Sequence, residues 1–178
     1  MTLFWRRIDW TIGPILLFFD DGGRLVRVGL GWDDPPVGMA KGRMQTDAAL
    51  RAFASYLHGQ SLGVDVSCRL TVSAFARTVI ESLRSIPYGT TVTYGQLASR
   101  IGRPGAGRSV GRALGANPCP IIFPCHRVVA AAGLGGFTPG LEWKRALLAL
   151  EQGADLSLSQ TILAGLTWTQ RAGMSEEG

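Results

Sequence analysis

Residues 93–116 read Thr93-Tyr94-Gly95-Gln96-Leu97-Ala98-Ser99-Arg100-Ile101-Gly102-Arg103-Pro104-Gly105-Ala106-Gly107-Arg108-Ser109-Val110-Gly111-Arg112-Ala113-Leu114-Gly115-Ala116. Thr93 is a good N-cap for a helix over 94–101. Gly102-Arg103-Pro104-Gly105 breaks that helix, and residues 106–116 form the next. Two short helices joined by a tight Gly/Pro turn and flanked by arginine are the pattern of a helix-turn-helix. In the second helix Gly107, Gly111 and Gly115 line one side. Each costs about 0.8–1 kcal/mol of helix propensity relative to alanine, so the stripe needs a packing reason. Either another helix lies against it or a nucleic-acid groove does, with Arg108 and Arg112 on the adjacent row.

Working upstream, Ser73 is a plausible cap for a helix carrying Phe75, Val79, Leu83 and Ile86 on one face and ended by Pro87. The first third reads as a small α/β unit. Segments 15–19 and 25–30 are strand-like, and Asp21-Gly22-Gly23 between them signals a hairpin. Asp47 can cap a helix with Leu50, Phe53, Ala54 and Leu57 at helical spacing; Gly59 stops it, and 64–68 can form another strand. Nothing in this third gathers polar groups into a site, so it reads as scaffold. The domain expectation is 1–70 for that scaffold, 71–151 for the helical unit and 152–178 for an extension, with a strand or short helix at 161–168.

Working downstream, Asn117-Pro118-Cys119-Pro120-Ile121-Ile122-Phe123-Pro124-Cys125-His126-Arg127-Val128-Val129 is the densest chemical signal. A three-residue apolar strand, 121–123, delivers a Cys-His-Arg cluster. A thiol of ordinary pKa near 8.5 is mostly protonated at neutral pH, and neighbouring His and Arg favour the reactive thiolate. The bland reading, a buried structural cysteine, fits Cys68 and Cys119 better than Cys125. Consecutive side chains on a strand point to opposite faces, so His126 there would not touch the Cys125 sulfur. Either the chain turns at this point or a water relays the proton, and a relay needs a carboxylate to orient the imidazole. Glu151, at the end of the amphipathic segment 141–150, is the candidate; Glu142, at its start, suits a solvated or dipole-facing role.

The 178 residues are 46% hydrophobic and 17% charged, enough apolar side chain for a core and too little charge for a disordered chain. The net charge is +5. Residues 75–151 carry nine Lys/Arg against three Asp/Glu, and no acid lies between Glu81 and Glu142. That one-signed stretch is a footprint for a polyanion. Three cysteines without C-x-x-C spacing, and only His58 and His126 beside them, assemble no metal site and make a disulfide framework an unfavoured reading, while an odd count leaves at least one thiol free. No membrane span and no signal peptide follow from the sequence, so the expected location is cytoplasmic, nucleoid-associated in a prokaryote.

Pro-Cys-His-Arg-Val at 124–128, with the upstream Asn-Pro and the helix-turn-helix, resembles the O6-alkylguanine-DNA alkyltransferases, or methylated-DNA–protein-cysteine methyltransferases. The resemblance covers residues 73–151 and includes Ile86-Pro87-Tyr88-Gly89, Thr93-Tyr94-Gly95-Gln96-Leu97-Ala98, Arg108-Ser109-Val110-Gly111 and Gly136-Phe137-Thr138-Pro139-Gly140-Leu141, then Lys144 and Leu147-Leu148. It extends more loosely upstream through Tyr56-Leu57-His58-Gly59. The implied fold is α/β: a ribonuclease H-like N-terminal domain, then a mainly helical domain with a helix-turn-helix. The implied activity is irreversible, single-turnover transfer of an alkyl group from O6-alkylguanine, and O4-alkylthymine, in DNA to Cys125. By resemblance His126 is the base acting through a water, Glu151 its orienting carboxylate, Asn117 the tie between turns and Tyr94 the donor to the leaving base. The carbonyls of Cys125 and Val128 and the N–H of Thr138 read the base, while Leu114, Pro120 and Phe137 wall the alkyl group.

The implied partner is double-stranded DNA, bound by a monomer through the minor groove with little sequence preference. Thr93, Tyr94, Gln96, Arg103, Ala106, Gly107, Arg108, Ser109 and Arg112 form the contact surface, and Arg108 fills the place of the extruded nucleotide. No cofactor and no metal are implied. Phe137 stands for the family's common Tyr, and Pro139 for a Gly. The competing readings are a non-repairing alkyltransferase-like binder, which replaces the reactive cysteine, a Cys-His hydrolase, which needs direct Cys–His contact, and a plain helix-turn-helix regulator.

Overall fold

The computed structural model describes residues 2–37, 39–41 and 46–154. The expected element at 161–168, and most of the extension, lie outside the described residues. Among the described residues the architecture is mixed α/β, with two small sheets and five α-helices. Strand β1 (Phe4–Trp10) pairs antiparallel with β2 (Gly13–Phe19), which pairs with β3 (Leu25–Leu30) through a register shift at Phe18/Phe19. Asp20 closes the second hairpin by accepting from the N–H groups of Gly22 and Arg24. A short β4 (Ala40–Lys41) joins β1 in parallel, giving the order β3-β2-β1-β4. Central β2 is apolar and buried from Ile15 to Phe19, as a strand covered on both faces should be.

Helix α1 (Asp47–Leu57) turns Ala49, Phe53, Tyr56 and Leu57 to the core. Asp47 does not cap it; its carboxylate takes the Arg6 guanidinium at 2.7 Å, because β1 brings that charge alongside. The segment expected as a strand at 64–68 makes one isolated bridge, Leu25 to Cys68. Helix α2 (Ala74–Ser82) is capped by Ser73, whose hydroxyl accepts from Ala76 N. Its buried stripe is Ala76, Val79 and Ile80, continued by Leu83; Phe75, expected inward, is 38% exposed on the first turn.

Thr93 closes a full capping box with Gln96 at the start of α3 (Tyr94–Arg100), and residues 101–106 turn the chain into α4 (Gly107–Gly115). Before α3, β5 (Val92–Thr93) pairs in parallel with β6 (Val128–Val129). That two-residue ladder sets Tyr94 beside the Cys-His-Arg turn, and α5 (Leu141–Glu151) packs behind it.

Two expectations are corrected at the Asn-Pro segment. Residues 121–123 are not a strand: Ile121 has φ +76° and Phe123 N donates to Cys119 O. The Asn117 side chain outcompetes a ladder, donating from Nδ2 to Phe123 O at 2.9 Å and accepting Cys119 N–H at 3.1 Å on Oδ1. A β-branched residue in the left-handed region costs about 1–3 kcal/mol, so this turn is held by its surroundings. Cys68 and Cys119 are joined as a disulfide instead of standing as separate buried thiols. β3 gathers them: Leu25 pairs with Cys68 while Val28 N donates to Pro118 O.

Candidate active site

Cys125, His126 and Arg127 form one turn of 3-10 helix. With three residues per turn, their side chains fan out about 120° apart instead of alternating across a strand. The chain turns here, but the turn does not bring His126 onto the sulfur; its Nε2 faces Glu151. Cys125 lines a cavity of about 430 Å³ together with Tyr94, Leu114, Asn117, Pro120, Phe137 and Thr138. His126 and Arg127 are buried behind it, both bonded to the Glu151 carboxylate.

Glu151 is the hub. Its carboxylate lies 2.8 Å from His126 Nε2 and accepts from Arg127 Nε and Nη2, from the Tyr56 hydroxyl at 2.6 Å and from the Gly89 N–H at 3.1 Å. Burial works against its charge, but His126 and Arg127 hold its pKa well below the ordinary carboxylate range. Gly89 has φ +73°, and a Cβ there would stand 2.9 Å from Glu151 O, so glycine is required for this approach. Burial pushes the His126 pKa down, with Arg127 and Lys144 adding to the effect against Glu151. The imidazole is therefore neutral, with Nε2–H donated to Glu151. Its Nδ1 is buried and has no hydrogen-bond partner among the described residues, which leaves it an acceptor.

The thiol itself corrects an expectation. Burial pushes the Cys125 pKa up to about 11, against the Asn117 Nδ2 donor at 3.2 Å and the Lys144 charge. The neighbouring Arg127 does not stabilise a thiolate, because its guanidinium is spent on Glu151 and on Ile86 O. The resting sulfur is a protonated thiol, and its ionisation has to be coupled to a base.

Tyr94 donates its hydroxyl to Gly136 O at 3.2 Å on the cavity wall, and burial raises its pKa. Val128 O accepts from Lys144 Nζ at 2.6 Å. The glycine stripe of α4 faces inward: Cβ atoms at Gly107 and Gly111 would lie 3.8 and 3.7 Å from Tyr94, and one at Gly115 would lie 3.8 Å from Thr138 Oγ1. The helix reading holds for the first two: Gly107 and Gly111 pack on the first turn of α3, and Gly115 on the cavity rim at Thr138. Outside that rim, Arg100, Arg103, Arg108 and Arg112 are exposed, as is Gln96, while Thr93, Ala106 and Ser109 are half-buried beside them. Among the described residues no group of three or more His, Cys, Asp or Glu could hold a metal, and no helix is long and apolar enough to cross a membrane.

Three participants were missed. Tyr56 sits on the apolar stripe of α1, where a phenol must find a partner, and it refutes the expectation that the first third contributes nothing polar. Lys144 is fully buried with its pKa lowered to about 8 by burial. Its spacing of seven from Glu151, two helical turns, was the available signal that both face inward. The third is the β3 side of the cavity, Arg27, Val28, Leu30 and Trp32, which no local motif marks.

Fold and site together define an α/β protein whose single free thiol opens into a ligand-sized cavity beside arginine-bearing helices. Residues 74–153 match the family described as 6-O-methylguanine DNA methyltransferase, DNA binding domain. A methylated-DNA–protein-cysteine methyltransferase of Methanopyrus kandleri is 47% identical over 122 residues, 68% of this chain and 89% of that protein. The crystal structure of Mycobacterium tuberculosis O6-methylguanine methyltransferase matches with a TM-score of 0.78 at 36% identity, covering 86% of this chain and 95% of that one. That of M. tuberculosis OGT in complex with DNA gives 0.76 at 38%, covering 84% and 92%. The chain belongs to the methylated-DNA–protein-cysteine methyltransferase family.

Proposed function

We propose that this protein repairs DNA by direct reversal, moving an alkyl group from O6 of guanine, and from O4 of thymine, onto Cys125 Sγ. His126 Nδ1 takes the thiol proton through a bridging water, since no direct Cys125–His126 bond is made and a polar pocket can seat one. Glu151 holds the imidazole tautomer, as an acceptor on Nε2–H must. The sulfur attacks the alkyl carbon in line; the S–C bond forms as the C–O bond breaks, and the electron pair leaves with the base. The Tyr94 hydroxyl donates to that departing base, and the carbonyls of Cys125 and Val128 with the Thr138 N–H read it. Val128 O keeps a lone pair beyond the one Lys144 occupies. A thioether is not a leaving group, so each molecule acts once.

A base inside a duplex cannot reach a buried sulfur, so the nucleotide is extruded, with Arg108 entering the stack. α3 and α4 act as a helix-turn-helix laid in the minor groove by a monomer. Thr93, Gln96, Arg103, Ala106, Gly107, Ser109 and Arg112 contact the backbone in a largely sequence-independent way. Residues 1–70 form a ribonuclease H-like domain and 71–151 the transferase domain. The observation that carries this reading is the Cys125 sulfur, facing a cavity with the Asn117 donor on it and the His126–Glu151 pair behind. Duplex containing O6-methylguanine should add one methyl group per protein, mapped to Cys125 by intact and peptide mass, and none in Cys125→Ser. Continued turnover, or methylation elsewhere, refutes it.

A further inference from the structure

The Cys68–Cys119 disulfide joins β3 to the turn that carries Asn117. Cys68 is pinned to β3 on both sides: Leu25 N donates to Ser67 O at 3.0 Å, and Arg69 N donates to Leu25 O at 2.8 Å. Cys119 is fully buried, and its N–H is the one Asn117 Oδ1 accepts while Asn117 Nδ2 reaches the Cys125 sulfur. Ile121 holds its positive φ in the same turn. A backbone kept in that region by its surroundings relaxes when a tie to them is cut. Through the disulfide and the Val28–Pro118 hydrogen bond, β3 steadies the turn that sets the Asn117 donor on the sulfur. Cys68, unlike Cys119, is reachable. It lines a surface cavity of about 540 Å³ with Ser67, Arg24, Arg69 and Arg77. Among the described residues that lining holds three guanidiniums and no carboxylate; Asp20 and Glu81, which pair with Arg24 and Arg77, stand outside it. A cationic approach draws in anions, and a thiolate is the form that attacks a disulfide.

We infer that the Cys68–Cys119 disulfide is a thiol-exchange site, opened by an anionic low-molecular-weight thiol that enters the arginine-lined cavity, and that opening it slows reaction at Cys125 by releasing the Asn117 turn from β3. The incoming thiolate attacks Cys68 Sγ. A mixed disulfide forms there, the protein S–S bond breaks, and Cys119 leaves with the electron pair and takes a proton. A second thiolate attacks the reagent's own sulfur in that mixed disulfide and releases Cys68, which is protonated in turn. The products are two protein thiols and one small disulfide, and the same small disulfide runs the exchange backwards. The Asn117 donor favours the ionised sulfur, so loosening it makes Cys125 less reactive. The exchange site does not depend on what Cys125 receives; its effect on DNA repair rests on the transfer reading.

The test equilibrates the full chain with glutathione disulfide or with glutathione and follows it by intact mass. Reduction should add two hydrogens and make Cys68 and Cys119 open to alkylation. Glutathione, an anion, should open the bond faster than the cationic thiol cysteamine at matched thiolate concentration, and the gap should narrow as salt is raised. Iodoacetamide labelling of Cys125, read by fragmenting its peptide, should slow roughly tenfold on reduction, the scale of one lost hydrogen bond to an ionised sulfur, and recover on reoxidation. Cys68→Ala should show the slow rate under both conditions. A protein that keeps three free thiols in glutathione disulfide overturns the site, and equal rates for the two thiols overturn entry through the arginines. An unchanged or faster Cys125 on reduction overturns the coupling, because mere loosening would expose a buried sulfur. Methyl transfer from duplex containing O6-methylguanine should fall in the same proportion. No methyl transfer in either state overturns the transfer reading and leaves the exchange result standing.

Discussion

Replacing Glu151 by glutamine keeps the shape of the site and removes one charge. The consequence follows from what that carboxylate holds. Its side chain is fully buried, and Arg127, with 7% of its side chain exposed, is bound to it through Nε and Nη2. Among the described residues Arg127 keeps only Ile86 O as a further acceptor, at 2.6 Å, so the substitution strands a buried guanidinium. Breaking one partner of a buried pair costs about 3–5 kcal/mol. In a protein of this length that lowers the melting temperature by roughly 6–20 °C. Urea unfolding of wild type, Glu151→Gln, Arg127→Met and the double variant measures it, with an unchanged slope showing that only stability moved. The double variant should be more stable than the sum of the single losses, because no unpaired charge remains. A cost below about 1 kcal/mol for Glu151→Gln would mean that the pair contributes no more than a surface contact. Strict additivity in the double variant would break the reasoning as well.

Two further outcomes concern the sulfur and the DNA surface. With its pKa pushed up to about 11 by burial, Cys125 should react slowly with iodoacetamide at pH 7 and accelerate continuously toward pH 10. Asn117→Ala, which removes a donor that favours the thiolate, should be slower throughout that range. A rate plateau near pH 8 would show an activated resting thiolate. Arg108→Ala should slow transfer from duplex while leaving transfer from the free base nearly unchanged. Arg112→Ala should reduce the slope of log affinity against log salt by about 0.9 if it neutralises one phosphate; an unchanged slope would take it off the backbone.

What could be read from the sequence divides by range. The Ser73 and Thr93 caps and the turn at residues 102–105 are local devices, in which the side chain and the backbone it serves are three residues apart; the sequence therefore located α2, α3 and α4. Cys125, His126 and Asn117 were legible because the motif sets them within nine residues. Local reasoning failed where two local rules competed. An apolar Ile121-Ile122-Phe123 run reads as strand, and adjacent Cys, His and Arg read as mutual activators. Yet the Asn117 amide turns the run back on itself, and a 3-10 turn sends Arg127 away from the sulfur it was expected to charge.

Tyr56, Lys144 and the β3 wall were given no part in the site for another reason. Each is ordinary in its own segment and acquires its role only where distant elements meet. Tyr56 lies 95 residues from Glu151 in the chain and 2.6 Å from it in space. This bears on how the two parts of the molecule divide the work. The thiol's elevated pKa is a product of burial, and the cavity it faces is walled in part by the N-terminal sheet, joined through the Val28–Pro118 seam. The Glu151 carboxylate bonded to His126, in turn, has one of its closest partners on α1. A scaffold that merely braced the helical unit could be exchanged for another without altering the sulfur's chemistry. This one walls the thiol's cavity on one side and binds the Glu151 carboxylate on the other, so the N-terminal third is continuous with the site.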